Sequence, residues 1–139
     1  MRHGATLLEL AIVLAIVGVL CAIGIPRALR FLDRARVRHA TNEIVTALAV
    51  ARTTAVARQA HVAVRFDAVR SSVTVMSGSD TLVSRELGAV YGVSILANRD
   101  SSGYAPTGLG YGAANQTVVI RRGVAADSVI ISRLGRVRH

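Results

Sequence analysis

The sequence predicts an α+β protein, a long N-terminal helix followed by an antiparallel sheet that the helix covers on one face. Two observations carry that expectation. Every residue from Leu10 to Ile25 is apolar or glycine. Beyond that run apolar residues recur at three- and four-residue steps to about Gln59, after which the period shifts towards two. A chain of 139 residues has the size of one domain. Its 52% hydrophobic content excludes a disordered tail, and the single cysteine, Cys21, excludes a disulfide-stapled mini-domain or a cysteine-based zinc site. All 17 basic residues are arginine, against 8 acidic ones, giving a net charge of +9. That balance suits nucleic acid, lipid headgroups or acidic proteins without choosing among them.

Ala5–Ile25 spans 21 residues with one charge, Glu9, and one hydroxyl, Thr6. About 20 apolar residues cross a bilayer as a helix, and a domain this small has little room to bury such a helix on all sides. Three readings compete for the segment. One is a secretory signal with Arg2 and His3 as its basic start and Ala22-Ile23-Gly24 as its cleavage site. A lipoprotein signal ending at Cys21 is set aside, because Leu20 fills a position that needs a small residue. The third is a four-residue leader, Met1-Arg2-His3-Gly4, cut ahead of the apolar run. Glu9 decides among them. A carboxylate costs about 2.5–3.5 kcal/mol at mid-membrane and less near an end, a cost for which a disposable signal has no use. Cleavage after Gly4 would give Ala5 a free α-amine one helical turn before Glu9. The cation could then come from the same chain or from a neighbour packed alongside.

Gly4-Ala5-Thr6-Leu7-Leu8-Glu9 followed by that run resembles the class III signal of type IV pilins and type II secretion pseudopilins. Ala5 stands where the family motif usually has Phe. The resemblance implies cleavage after Gly4 by a prepilin peptidase and N-methylation of Ala5. It also implies assembly with other pilins or pseudopilins, Glu9 docking onto a neighbour's terminus, and a helix-kinking role for Pro26. The chain then divides into a leader (1–4), a transmembrane and filament-core helix (5–25), an amphipathic continuation (26–60) and a periplasmic sheet domain (61–139). It would be a single-pass protein of the bacterial inner membrane. Arg27, Arg30, Arg34, Arg36 and Arg38 follow the span while Arg2 alone precedes it, a distribution that by itself places the C-terminal part in the cytoplasm. The leader motif is the more specific signal, and the arginines then read as a collar at headgroup level.

After Pro26, where a bend is expected, Leu29, Leu32, Ala40, Ile44, Ala47, Leu48, Ala51 and Ala55 form the apolar stripe. No glycine interrupts the chain between Pro26 and Gly78. His61–Phe66 and Ser72–Met76 alternate as a hairpin around Asp67–Ser71. Thr81–Leu87 and Val90–Leu96 are further strands, Asn98–Gln116 a long loop, and Thr117–Arg121 with Ser128–Ser132 a closing hairpin around Gly123–Asp127.

Gly108-Leu109-Gly110-Tyr111-Gly112-Ala113 nearly matches a dinucleotide fingerprint, which requires a strand before it and a helix after it. Here a loop precedes and a strand follows, so the match is set aside, as is the sequon-like Asn115-Gln116-Thr117. His3, His39, His61 and His139 lie at no ligand spacing, and no nucleophile elbow is present, so a subunit without catalytic residues, metal or cofactor is expected.

The ending Val129–Arg138, with Tyr104-Ala105-Pro106-Thr107-Gly108, resembles the GspH/FimT branch of minor pseudopilins and minor pilins. The resemblance implies a subunit present in few copies near a filament tip. An alternative is DNA capture during natural transformation through Arg121, Arg122, Arg133, Arg136 and Arg138. Gly135-Arg136-Val137-Arg138 resembles a Gly-Arg-x-Arg element of FimT-like DNA-binding subunits. Phosphate contacts by arginine are sequence-independent, which suits uptake. The same charges also suit an edge strand protected from pairing. With 4% aromatics, the chain has little to offer as a stacking platform for single strands.

Overall fold

The computed structural model describes residues 6–111 and 115–139. It forms two units, Met1–Leu32 and Asp33–His139, and helix α1 (Leu7–Arg58) contributes residues to both. Thr6 caps the start of α1, its Oγ1 accepting the backbone N–H of Glu9 at 3.2 Å. One of the N–H groups left unpaired at any helix start is thereby satisfied, and Thr6-x-x-Glu9 has the spacing of a capping box. The helix continues through Pro26, where the missing N–H removes one bond of the ladder. At the other end Gln59 turns left-handed (φ 49°), and its side-chain amide donates to the Val56 carbonyl at 2.9 Å.

In the second unit α1 buries Val37, Ala40, Thr41, Ile44, Ala47, Leu48, Ala51 and Ala55. Four alanines stand on this stripe. Leu29 and Leu32, expected on the same stripe, belong to the first unit and are exposed. Helical spacing marks a face of a helix, but it does not mark where along the axis that face acquires a cover.

The sheet expected from alternation is two sheets. The first runs β3 (Asp80–Glu86), β2 (Ser72–Ser77), β1 (Val62–Asp67), β5 (Ser101–Tyr104), β6 (Gly110–Tyr111), and every pairing in it is antiparallel. The second runs β4 (Ser94–Ala97), β7 (Gln116–Arg122), β8 (Ala125–Ile131), β9 (Val137–Arg138), again antiparallel throughout. The chain changes sheet three times, between β3 and β4, between β4 and β5, and between β6 and β7. Both sheets and α1 contribute to one core, with Val62, Val64, Val73 and Val75 from the first sheet and Ile95, Val118, Ile120 and Val129 from the second. Two segments depart from the sequence expectation. The expected strand Val90–Leu96 splits into a short helix α2 (Leu87–Tyr91) and β4. Gly88 permits this, because a Cβ there would lie 2.8 Å from the Arg70 carbonyl oxygen, and Gly92 closes the helix with φ 63°. The expected loop Asn98–Gln116 contains β5 and β6, whose short glycine-containing sequences lack the alternation that marks a strand.

Thr41 sits in the core at 1% exposure, and its hydroxyl has no hydrogen-bond partner among the described residues. An unsatisfied buried hydroxyl costs about 1–3 kcal/mol. Thr41→Val keeps the shape and removes that group, so the full chain in detergent is expected to melt a few degrees higher. A lower melting temperature would show that the hydroxyl is bonded in solution.

Candidate assembly site

The front of α1 is a surface made of side chains that water disfavours. Twelve large aliphatic side chains between Leu7 and Ile25 are each 47% exposed or more. Covering them is worth on the order of 20 kcal/mol at about 1.5–3 kcal/mol per fully buried side chain. That exceeds the roughly 5–15 kcal/mol that holds a whole domain together. The helix is long and apolar enough to cross a membrane, and none of the apolar window is buried among the described residues. Glu9 lies in its first turn and is exposed. Among the described residues no cation is within ion-pair distance of the Glu9 carboxylate. Gly4 and Ala5, the expected cleavage and methylation positions, lie outside the described residues. Pro26 stands inside the helix, and its carbonyl accepts Arg30 Nε at 3.3 Å.

Of the five C-terminal arginines, Arg122 is engaged within the domain. Arg122 is a structural staple. Its Nε donates to Asp33 Oδ1 of α1 at 2.8 Å, and its Nη1 donates to the carbonyls of Tyr91 and Gly92 at 2.7 and 2.8 Å. Those carbonyls end α2, where a cation also meets the negative end of the helix dipole. Two glycines make room for this arrangement: a Cβ on Gly92 would collide with Arg122 Nη1, and one on Gly123 would lie 3.0 Å from Asp33 Oδ2. Asp33 and the staple are what sequence reading missed, since neither residue belongs to a motif and they stand 89 positions apart. Arg121, next to Arg122 on β7, is exposed. Arg133 is inside the tight β8–β9 turn, in which Gly135 N donates to the Ser132 carbonyl at 2.8 Å, and Arg136 follows it. Arg138 is on β9 opposite Ile130.

That turn and helix α1 account for two glycines of the nucleotide-like stretch. Gly110 passes so close that a Cβ would lie 2.8 Å from the Arg133 carbonyl oxygen. Gly108 has φ 76°, and a Cβ there would lie 3.1 Å from Val56 Cγ2 on α1. Gly112 and Ala113 lie outside the described residues. Gly135, also at φ 76°, rests on the ring of Tyr104, with an added Cβ only 2.9 Å from Cε1. Burial raises the pKa of the Tyr104 phenol, and the charge of Arg52 opposes the rise. Among the described residues no three His, Cys, Asp or Glu side chains gather as metal ligands.

A long helix with an uncovered apolar front, continuous with a helix-on-sheet domain, is the architecture of a pilin-like subunit. A family model described as Type II transport protein GspH matches residues 40–135, and the chain belongs to that family. The fold is also that of the type IV minor pilin FimU of Pseudomonas aeruginosa strain PAO1. One crystal form of FimU is similar with a TM-score of 0.64 at 16% identity, covering 76% of this chain and 88% of FimU. A second form gives 0.60 at 14% identity, covering 73% and 90%. No curated protein matches the chain in sequence.

Arg122→Ala would leave the Asp33 carboxylate and two helix-end carbonyls without their donor. At 26% side-chain exposure, a loss of about 1–3 kcal/mol is expected. Lysine is expected to restore less than half of that, because a point charge cannot divide its donors as a guanidinium does. Thermal unfolding of the full chain in detergent measures both, and Arg121→Ala, which removes no such contact, should melt like the parent protein.

Proposed function

We propose that the chain is a minor subunit of a type II secretion pseudopilus or a type IV pilus, anchored in the bacterial inner membrane until its helix is extracted into the filament. The observation that carries this reading is the uncovered apolar front of α1. A helix that its own chain does not bury needs lipid at one stage, and sister helices can cover it at the next. On this reading a prepilin peptidase cuts after Gly4, Ala5 becomes the methylated terminus, and the sheet domain faces the periplasm. The subunit's place is near the filament tip, where it starts or caps assembly.

Glu9 would then meet the terminal amine of a neighbouring subunit inside an apolar bundle. Breaking a buried pair by removing one partner costs about 3–5 kcal/mol, and about 1.4 kcal/mol already corresponds to a tenfold change. The capping bond made by Thr6 goes to the backbone of Glu9, so Glu9→Ala leaves that bond intact. DNA capture is the less favoured reading, because Arg122, one of the five arginines it would use, is engaged with Asp33 and the end of α2.

Glu9→Ala is expected to accumulate in the membrane with its sheet domain folded, and to fall at least tenfold in the sheared filament fraction. Immunoblotting of membrane and filament fractions reads the difference. Normal co-assembly of the variant would remove Glu9 from the mechanism.

A further inference from the structure

The outer face of the four-stranded sheet carries an apolar band between two arginines. Cross-strand pairing builds it from three rows. Ser94, Arg121 and Ala126 are partners across β4, β7 and β8, as are Leu96, Val119 and Ser128. Thr117, Ile130 and Arg138 are partners across β7, β8 and β9. Side chains alternate along a strand, and the intervening Ile95, Val118, Ile120, Val129 and Ile131 are buried in the core, so these rows face away from it. Leu96 is 53% exposed and Ile130 45%. None of the 8 acidic residues of the chain stands in these rows. Asp127, the one acid on β8, is paired with buried Ile120 and so lies on the inner side.

Strand spacing of about 4.8 Å and rise of about 3.3 Å give the face roughly 300–400 Å². Arg121 and Arg138 are four residues apart along the strand direction and two strands apart across it, about 16 Å in all. We propose that this face docks an acidic protein partner, a neighbouring filament subunit presenting carboxylates that far apart around an apolar centre. Only the partner's identity as a filament subunit rests on the function proposed above. A second copy of the chain would bring arginine against arginine. Duplex DNA has no use for the leucine and isoleucine between the charges. A bilayer is disfavoured because Ser128 and Thr117 break the band's continuity. A filament neighbour also contributes helix packing, so a patch below the usual ~800 Å² per partner is sufficient.

The test uses the full-length protein in cells that assemble the filament, with a photo-reactive phenylalanine derivative at Leu96 or Ile130. Val69, 96% exposed in the β1–β2 turn, is the control position. Light is expected to join positions 96 and 130, but not 69, to a pilin-like chain through a peptide containing Asp or Glu. Arg121→Glu with Arg138→Glu should abolish the adducts. If that pair does not accumulate to parental levels, Arg121→Gln with Arg138→Gln should weaken them instead. Adducts with a second copy, nucleic acid or lipid would overturn the proposal, as would adducts that survive charge reversal. Absence of adducts from a protein still present in sheared filaments overturns this interface alone. Absence of the protein from filaments overturns both this interface and the filament reading.

Discussion

One helix has to satisfy two solvents, and the rest of the molecule follows from that constraint. Up to Ile25 the helix presents aliphatic side chains on every side, a surface that only hydrocarbon or other such helices can cover. Its backbone tolerates either environment because the hydrogen bonds of a helix are internal to it. From Val37 onward the same helix narrows to a stripe rich in alanine, closely packed under two sheets. A soluble protein would have to hide the first part, and a purely membrane-embedded one would have no use for the second. Glu9 sharpens the constraint, since a carboxylate at the start of the apolar surface favours a partner that brings a positive charge with it.

The folded domain is secured to the helix by apolar packing along the stripe and by one polar staple beside it. Arg122 reaches from the end of β7 to Asp33 on α1 and to the last carbonyls of α2, tying three elements with one guanidinium. Gly92 and Gly123 are explained by the same group, because a side chain on the first would displace the guanidinium and one on the second would crowd the Asp33 carboxylate. The staple also changes how the basic C-terminus is read. With Arg122 turned inward, Arg121 and Arg138 are left as separate charges on a mixed polar and apolar face, which resembles a protein interface more than a phosphate track.

The helix, its membrane-length front and most of its buried stripe were legible from periodicity, which reports faces directly. Six of the eight expected stripe positions, from Ala40 to Ala55, are buried as the spacing implied. Leu29 and Leu32 were not separable from them, because a sequence pattern carries no information about where a tertiary cover begins. Division of the strands between two sheets was illegible for a related reason: alternation identifies a strand but not its neighbour. Val90 and Tyr91, both residues that favour strands, are in a short helix closed by Gly92, so tertiary fit overrode local preference there. Gly110 of the nucleotide-like stretch has its cause in the β8–β9 turn, more than twenty residues further along the chain, and Gly108 has its cause in a left-handed backbone against Val56 of α1. Asp33 and Arg122 had no local signature at all, and only the fold brings them together.

The central claim is that the apolar front of α1 is kept in the mature protein and exposed at a processed terminus one turn before Glu9. Intact mass and N-terminal sequencing of the protein recovered from its native membrane test that claim most directly. The account predicts a chain beginning at Ala5 and about 14 Da heavier than the unmodified sequence, the mass of one added methyl group. A chain beginning near Ile25 would mean that the helix front is discarded as a signal. An intact Met1 would leave no amine one turn before Glu9, and either result contradicts the account.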